Sequence, residues 1–270
     1  SHFLEHLLFK GTRRRSALDI SRAIEGRGGY VNAFTQEEST CFDARIAAPH
    51  AIDALDVLCD MYRSPRLAPT DIEREKSVIV EEIQMYRDEP AQAVVDRLRS
   101  LLWSRHPLGR PIAGTTAGVR RLMRSDFVQY RTRYYDPART VVACAGKLEH
   151  DECVRQVRRR LGGLTPRSSR SFRAVTHATG QEQAAEEVRS VEQTHLALGL
   201  RLFGRNDPRR YALRLLNVVL GENMSSRLFQ VVRERHGLAY SIQSSAHLFS
   251  DTGALVVQAG VDRARAGRAL

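Results

Sequence analysis

The hydrophobic and polar positions along the chain alternate between helical and extended spacing. Residues 1–9 carry apolar side chains at helical intervals, and Gly11-Thr12 closes that segment. Residues 16–26 form a second helical pattern, with Ser16 as N-cap and Gly26 after the last turn. Gly28-Gly29 marks a turn. From Tyr30 to Ala48 the pattern reads as two strands, YVNAFT and STCFDARIAA, joined near Gln36-Glu37-Glu38. A helix over 50–63 stops near Pro65. Thr70 caps a long helix over about 71–87, closed by Asp88-Glu89-Pro90, and residues 91–105 are helical again. HPLGRPIAGT (106–115) is a loop, 125–135 a helix, TVVACAG (140–146) a strand and 150–161 a helix.

Residues 163–190 change character. GGLTPRSSRSFRAV is rich in Gly, Ser, Pro and Arg, and GQEQAAEEV is polar, as expected of a linker. The pattern then restarts with a strand at 194–200, a helix at 207–220, a GENMSS turn, a helix at 225–236, and strands at 239–248 and 253–261. Helices followed by paired strands occur in both halves, which reads as a diverged duplication. The expected organisation is a first domain at 1–165, a linker at 166–190 and a second domain at 191–270. The expected fold class is α+β, each domain a mostly antiparallel sheet packed with helices.

Composition adds limits. A chain of 270 residues with 42% hydrophobic and 27% charged positions is that of a globular protein. No apolar run reaches the ~20 residues that span a bilayer, and the first ten residues do not read as a signal peptide. Cys41, Cys59, Cys144 and Cys153 form no C-x-x-C pair and read as reduced structural residues. The net charge is +11, but Lys10, Lys76 and Lys147 are the only lysines among 42 basic residues. The arginines are scattered, and the clusters at 13–15 and 158–160 lack aromatic neighbours, so nucleic acid is not the expected partner.

The chemistry concentrates in H-F-L-E-H at the start of the chain. On a helix, His2 and His6 lie one turn apart on one face, with Glu5 on the same side. Two imidazoles reaching one cation suit zinc, and H-x-x-E-H is the inverzincin pattern. A catalytic zinc needs a third protein ligand, and the long helix offers carboxylates. Glu75 and Glu82 are two turns apart and share a face, whereas Glu81 points elsewhere. Val78, Ile79 and Val80 make the middle of that helix apolar and thus expected to be buried, and a carboxylate placed there wants a cation.

Four segments, HFLEHLLFKGT, GGYVNAFTQEEST, EREKSVIVEEIQMYRDEP and HPLGRPIAGT, resemble the pitrilysin-type zinc peptidases, in particular the processing-peptidase-like branch. EQTHLALGL and LGENMSSRLFQVVRERHGLAYSI in the second half agree, so the resemblance spans essentially the whole chain. It implies the metallohydrolase fold of the processing peptidases. It implies that His2, His6 and Glu82 are Zn2+ ligands, that Glu5 is the general base, and that Glu75 supports the site from behind the ligands. It further implies that Asn32 and Ala33, in an N-A-x-T pattern completed by Thr35, lie on an edge strand that receives peptide substrate. Arg233 and Tyr240 match a pair that reaches toward the substrate carbonyl, normally presented by a partner subunit. The partners implied are thus a peptide and a second subunit, in a homodimer or heterodimer. The second half lacks H-x-x-E-H and should bind no zinc.

The resemblance also implies a longer parent protein, because the chain starts inside the motif and stops in what reads as a helix after GALVVQAGV. The expected activity is endopeptidase cleavage of unfolded or presequence-like peptides, in the bacterial cytoplasm, or in the mitochondrial matrix for a eukaryotic source. The alternative is a non-catalytic subunit that only builds the chamber wall. Such subunits typically lose members of H-x-x-E-H, all of which stand here.

Overall fold

The structure is a computed structural model that describes residues 1–166, 172–176 and 183–270. The chain divides into two compact units, one formed by Ser1–Ile83 and Ile112–Ser171, the other by Gln84–Pro111 and Phe172–Leu270. Part of the linker expected at 166–190 falls on residues 167–171 and 177–182, outside the described residues.

The first unit opens with helix α1 (His2–Leu8), then α2 (Ala17–Ile24), strands β1 (Tyr30–Thr35) and β2 (Thr40–Arg45), α3 (Ala51–Arg63) and the long α4 (Pro69–Asp88), whose last turn passes into the other unit. Helix α5 (Pro90–Leu102) belongs to the second unit; α6 (Thr116–Arg121), α7 (Arg124–Tyr134) and α8 (His150–Leu161) complete the first. The Ser16 hydroxyl accepts from the Asp19 amide while the Asp19 carboxylate accepts from the Ser16 amide, a reciprocal cap that starts α2. The helix continues as a 3-10 turn over Glu25–Arg27 that contains Gly26, and Gly28, at φ 73°, ends it. At Gly29 a Cβ would meet the carbonyl oxygens of Arg45 at 2.8 Å and Ile24 at 2.9 Å, so the chain enters β1 through a gap that only glycine fits.

One apolar core holds this unit. Leu4, Leu7 and Leu8 of α1, Ile20 and Ile24 of α2, Val57 and Met61 of α3 and Ile72 and Ile79 of α4 are each at most 1% exposed. Phe3 meets Phe127 of α7 edge to face at 4.6 Å. Burial of side chains of this size contributes about 1.5–3 kcal/mol each. The loop leaving α1 is tied down by charge. Arg15 pairs with Asp60 at 2.6 Å and with Asp56, Asp56 also receives Arg160 of α8 at 2.7 Å, and the Thr12 hydroxyl donates to Asp60 at 2.7 Å.

The second unit is a three-stranded antiparallel sheet of order β3 (Gln193–Phe203), β5 (Thr252–Asp262), β4 (Ala239–Leu248), with α5 packed on β3. Leu98 and Leu102 of α5 close over Gly199, beside Trp103 and Phe249, whose rings meet edge to face at 5.4 Å. Helix α9 (Arg210–Asn217) widens into π-type turns over Val218–Glu222, and a second π-type segment covers Phe229–Arg235. A last short helix, α10, covers Ala266–Ala269.

The α+β class and the antiparallel pairings match the sequence expectation, with several differences. TVVACAG is not a strand. Residues 141–147 are exposed, Val141 to 89%, and among the described residues no neighbouring strand supplies the ladder that an extended segment needs. β2 stops at Arg45, not Ala48. Thr70 does not cap α4, which begins at Pro69, a residue whose fixed φ suits the first helical turn. Helix α5 ends at Leu102, not 105, and α6, whose Thr115 hydroxyl caps the Gly118 amide at 3.1 Å, was not anticipated. Val78, expected to be buried, is 48% exposed, because the inward stripe of α4 runs Ile72, Glu75, Ile79, Ile83.

Candidate metal centre

The centre is assembled by α1, α4 and β1. Helix α1 is pinned by its leucine face, which orients His2, Glu5 and His6 together on the remaining side. Helix α4 runs past them with Glu75 and Glu82 two turns apart. The side chains of His2, His6 and Glu82 converge so that one ligand atom from each lies within 4.8 Å of the others. His2 Nε2 is 3.3 Å from His6 Nε2 and 3.4 Å from Glu82 Oε1, and His6 Nε2 is 3.7 Å from Glu82 Oε2. Glu81 is exposed and lies outside this cluster.

Two ring nitrogens facing one another and a carboxylate form a donor set of the composition zinc takes, two imidazoles and one oxygen. His2 Nδ1 is buried and has no hydrogen-bond partner among the described residues, while its Nε2 faces His6 and Glu82. The residues present therefore fit a zinc ion. They form the one cluster of this kind among the described residues.

The residues behind the ligands are equally ordered. Glu75 is 4% exposed; its Oε1 accepts from His6 Nδ1 at 2.9 Å and its Oε2 lies 2.6 Å from Lys10 Nζ. Burial alone would raise the Glu75 carboxyl, but hydrogen bonds from His6 and Lys10 and the Lys10 charge hold it below the ordinary range. The hydrogen bond to Glu75 raises His6 above the usual imidazole value, against its burial. Burial lowers His2, with the His6 ring adding to the fall and the Glu82 and Glu5 carboxylates opposing it. One ring is thus held by a carboxylate behind it, and the other is driven toward the neutral form a metal requires.

Glu5 is 8% exposed, and the Thr35 hydroxyl donates a hydrogen bond to its Oε2. Thr35 ends β1, where the strand's half-buried residues Val31, Ala33 and Thr35 alternate with exposed Tyr30, Asn32 and Phe34. Among the described residues β1 pairs only with β2, in a register that sets Asn32 opposite Asp43 and Ala33 opposite Phe42. Arg233 and Tyr240 belong to the second unit, where the Arg233 guanidinium lies 5.9 Å from the centre of the Tyr240 ring and 4.6 Å from that of Phe229. Tyr240 is 75% exposed. Sequence reading missed Lys10; its only signal was a lone lysine four positions after His6 in an arginine-rich chain.

Residues 1–116 match the model of insulinase, peptidase family M16, and residues 121–270 match that of the peptidase M16 inactive domain. A protein of Mycobacterium tuberculosis named an uncharacterized zinc protease is 42% identical over 263 residues, covering 96% of this chain and 60% of its own length. One of Bacillus subtilis with the same description is 40% identical over 266 residues, covering 96% and 63%. The chain thus spans about 60% of the length of these relatives. Among solved structures, a protease from Helicobacter pylori superposes with a TM-score of 0.89 at 21% identity, covering 96% of this chain and 64% of that one. Pitrilysin superposes at 0.72 and 17% identity, covering 98% and 30%. These two likenesses concern the fold. Among the described residues, no helix is long and apolar enough to cross a membrane.

Proposed function

The chain belongs to peptidase family M16, and on that premise we propose that it carries the zinc-dependent endopeptidase centre of a longer protein. The observation that carries this reading is the convergence of His2 Nε2, His6 Nε2 and the Glu82 carboxylate beside Glu5. His2, His6 and Glu82 would hold the ion. When bound, zinc supplies a Lewis acid that polarises a scissile carbonyl and lowers the pKa of water toward ~7.

The chain's own groups do the rest. Thr35 fixes Glu5 Oε2, and Glu5 Oε1 takes a proton from the attacking water and returns it to the leaving amine. The edge of β1 opposite β2, unpaired among the described residues, receives an extended peptide by backbone pairing, with Asn32 and Ala33 at its centre, which gives affinity without demanding one sequence. Arg233 and Tyr240 of a second subunit reach the substrate carbonyl across a closed chamber. The Tyr240 phenol is exposed, and beside it the Arg233 guanidinium lies over the Phe229 ring with Glu234 as its ion-pair partner at 3.7 Å.

The test is hydrolysis of a quenched fluorescent peptide by wild type and Glu5→Gln, with zinc content measured on both. Turnover by wild type alone, with zinc in both, supports the reading. His6→Ala and Glu82→Gln should lose or weaken zinc. Absence of zinc from wild type would instead favour a chamber-building subunit without catalysis.

A further inference from the structure

We propose that Lys10 is a positioning residue for the His6 ligand, acting through Glu75; the inference rests on the zinc-centre reading above. Lys10 stands just past the end of α1. Its amide donates to the Leu7 carbonyl at 3.2 Å, and its own carbonyl accepts from Arg66 Nη2 at 2.9 Å, so its backbone is held from both sides. From there its ammonium reaches Glu75 Oε2 at 2.6 Å, while Glu75 Oε1 meets His6 Nδ1 at 2.9 Å. One buried carboxylate thus joins a lysine to an imidazole, with one oxygen for each.

The division of labour has a consequence for His6. A carboxylate buried to this degree is costly unless a cation compensates it. The Lys10 ammonium does so and leaves Glu75 a pure acceptor. An acceptor at Nδ1 obliges that nitrogen to carry the proton, and the lone pair is then on Nε2, the nitrogen that faces His2 and Glu82. Lys10 therefore selects the ligating tautomer of His6 without touching the ring. Lys76 does not duplicate it, because its ammonium is engaged by Glu73 at 2.8 Å.

The experiment measures zinc affinity by chelator competition for wild type, Lys10→Met, Lys10→Arg, Glu75→Gln and the Lys10→Met/Glu75→Gln double variant, with thermal melts of each metal-free protein. Lys10→Met should weaken zinc binding ~10–100-fold, the range for loss of a group supporting a ligand. Lys10→Arg, which keeps a cation for the carboxylate, should restore most of that affinity. In the Glu75→Gln background Lys10→Met should change little, because the route through Glu75 is already cut. Should Lys10→Met fail to fold, Lys10→Gln removes the charge while keeping a polar end, and the same loss is expected. Wild-type affinity in the neutral variants, or a Lys10 effect of equal size with and without Glu75, would overturn the inference and leave the zinc centre standing. A wild type that binds no zinc would sink both.

Discussion

Thr35→Val isolates the orientation of Glu5. The change keeps a β-branched side chain at the end of β1 and removes the hydroxyl that donates to Glu5 Oε2 and lies 3.2 Å from the Thr40 hydroxyl. Glu5 is 8% exposed, so bulk water does not readily replace the lost donor. A hydrogen bond to a charged group contributes about 1.5–3 kcal/mol. If that is expressed in the transition state, turnover falls by roughly 10–150-fold, at 1.36 kcal/mol per factor of ten. The assay is steady-state peptide hydrolysis with metal analysis of the same samples. The expected result is a lower kcat in that range, a KM near the wild-type value and unchanged zinc, because His2, His6 and Glu82 keep their places. A kcat within twofold of wild type would refute the argument that Thr35 orients the base. Parallel loss of zinc and turnover would show instead that the substitution collapses the centre.

Other expectations follow from the packing and the charges. Burial would raise the Asp56 carboxyl, but hydrogen bonds from Arg15 and Arg160 and the nearby Arg15 and Arg14 charges hold it below the ordinary value. Its stabilising contribution is therefore complete at neutral pH and lost as pH falls through the lowered value. Asp56→Asn should lower Tm at pH 7, and the gap from wild type should close on acidification below about 4; a gap that widens would contradict the network. Ile79→Ala, at a core site 0% exposed, should cost about 2–5 kcal/mol in denaturant unfolding. The Cys59 thiol, pushed up to about 11 chiefly by burial, should resist a thiol reagent at pH 8 while exposed Cys144 reacts first; equal rates would contradict the packing of α3. Tyr240→Ala should leave the melting curve unchanged, since the ring is 75% exposed, and lower kcat/KM for peptide. An unaltered kcat/KM would remove Tyr240 from the substrate contacts.

Much of this was legible in the sequence because it is local. The spacing of His2, Glu5 and His6 within one helical turn needs only the helix, and the leucines that follow dictate which side is buried. The same periodicity put Glu75 and Glu82 on one face of α4 and Glu81 off it. The N-cap at Ser16 and the Gly28-Gly29 turn were likewise readable from residue type. Local pattern failed where partners decide the outcome. TVVACAG has the composition of a strand, but a strand exists only where a neighbour completes its hydrogen bonds. Val78 sits in an apolar run, yet its angle on α4 turns it outward.

The sequence by itself determined the helices and hairpin that present the centre, and the residue types able to hold a metal ion, because both follow from spacing along a single element. Only the tertiary structure brought α1 against α4 and placed Lys10 on Glu75 and Thr35 on Glu5. Those contacts depend on how separate elements pack, and side chains distant in sequence meet only when a shared core fixes the helices and strands that carry them.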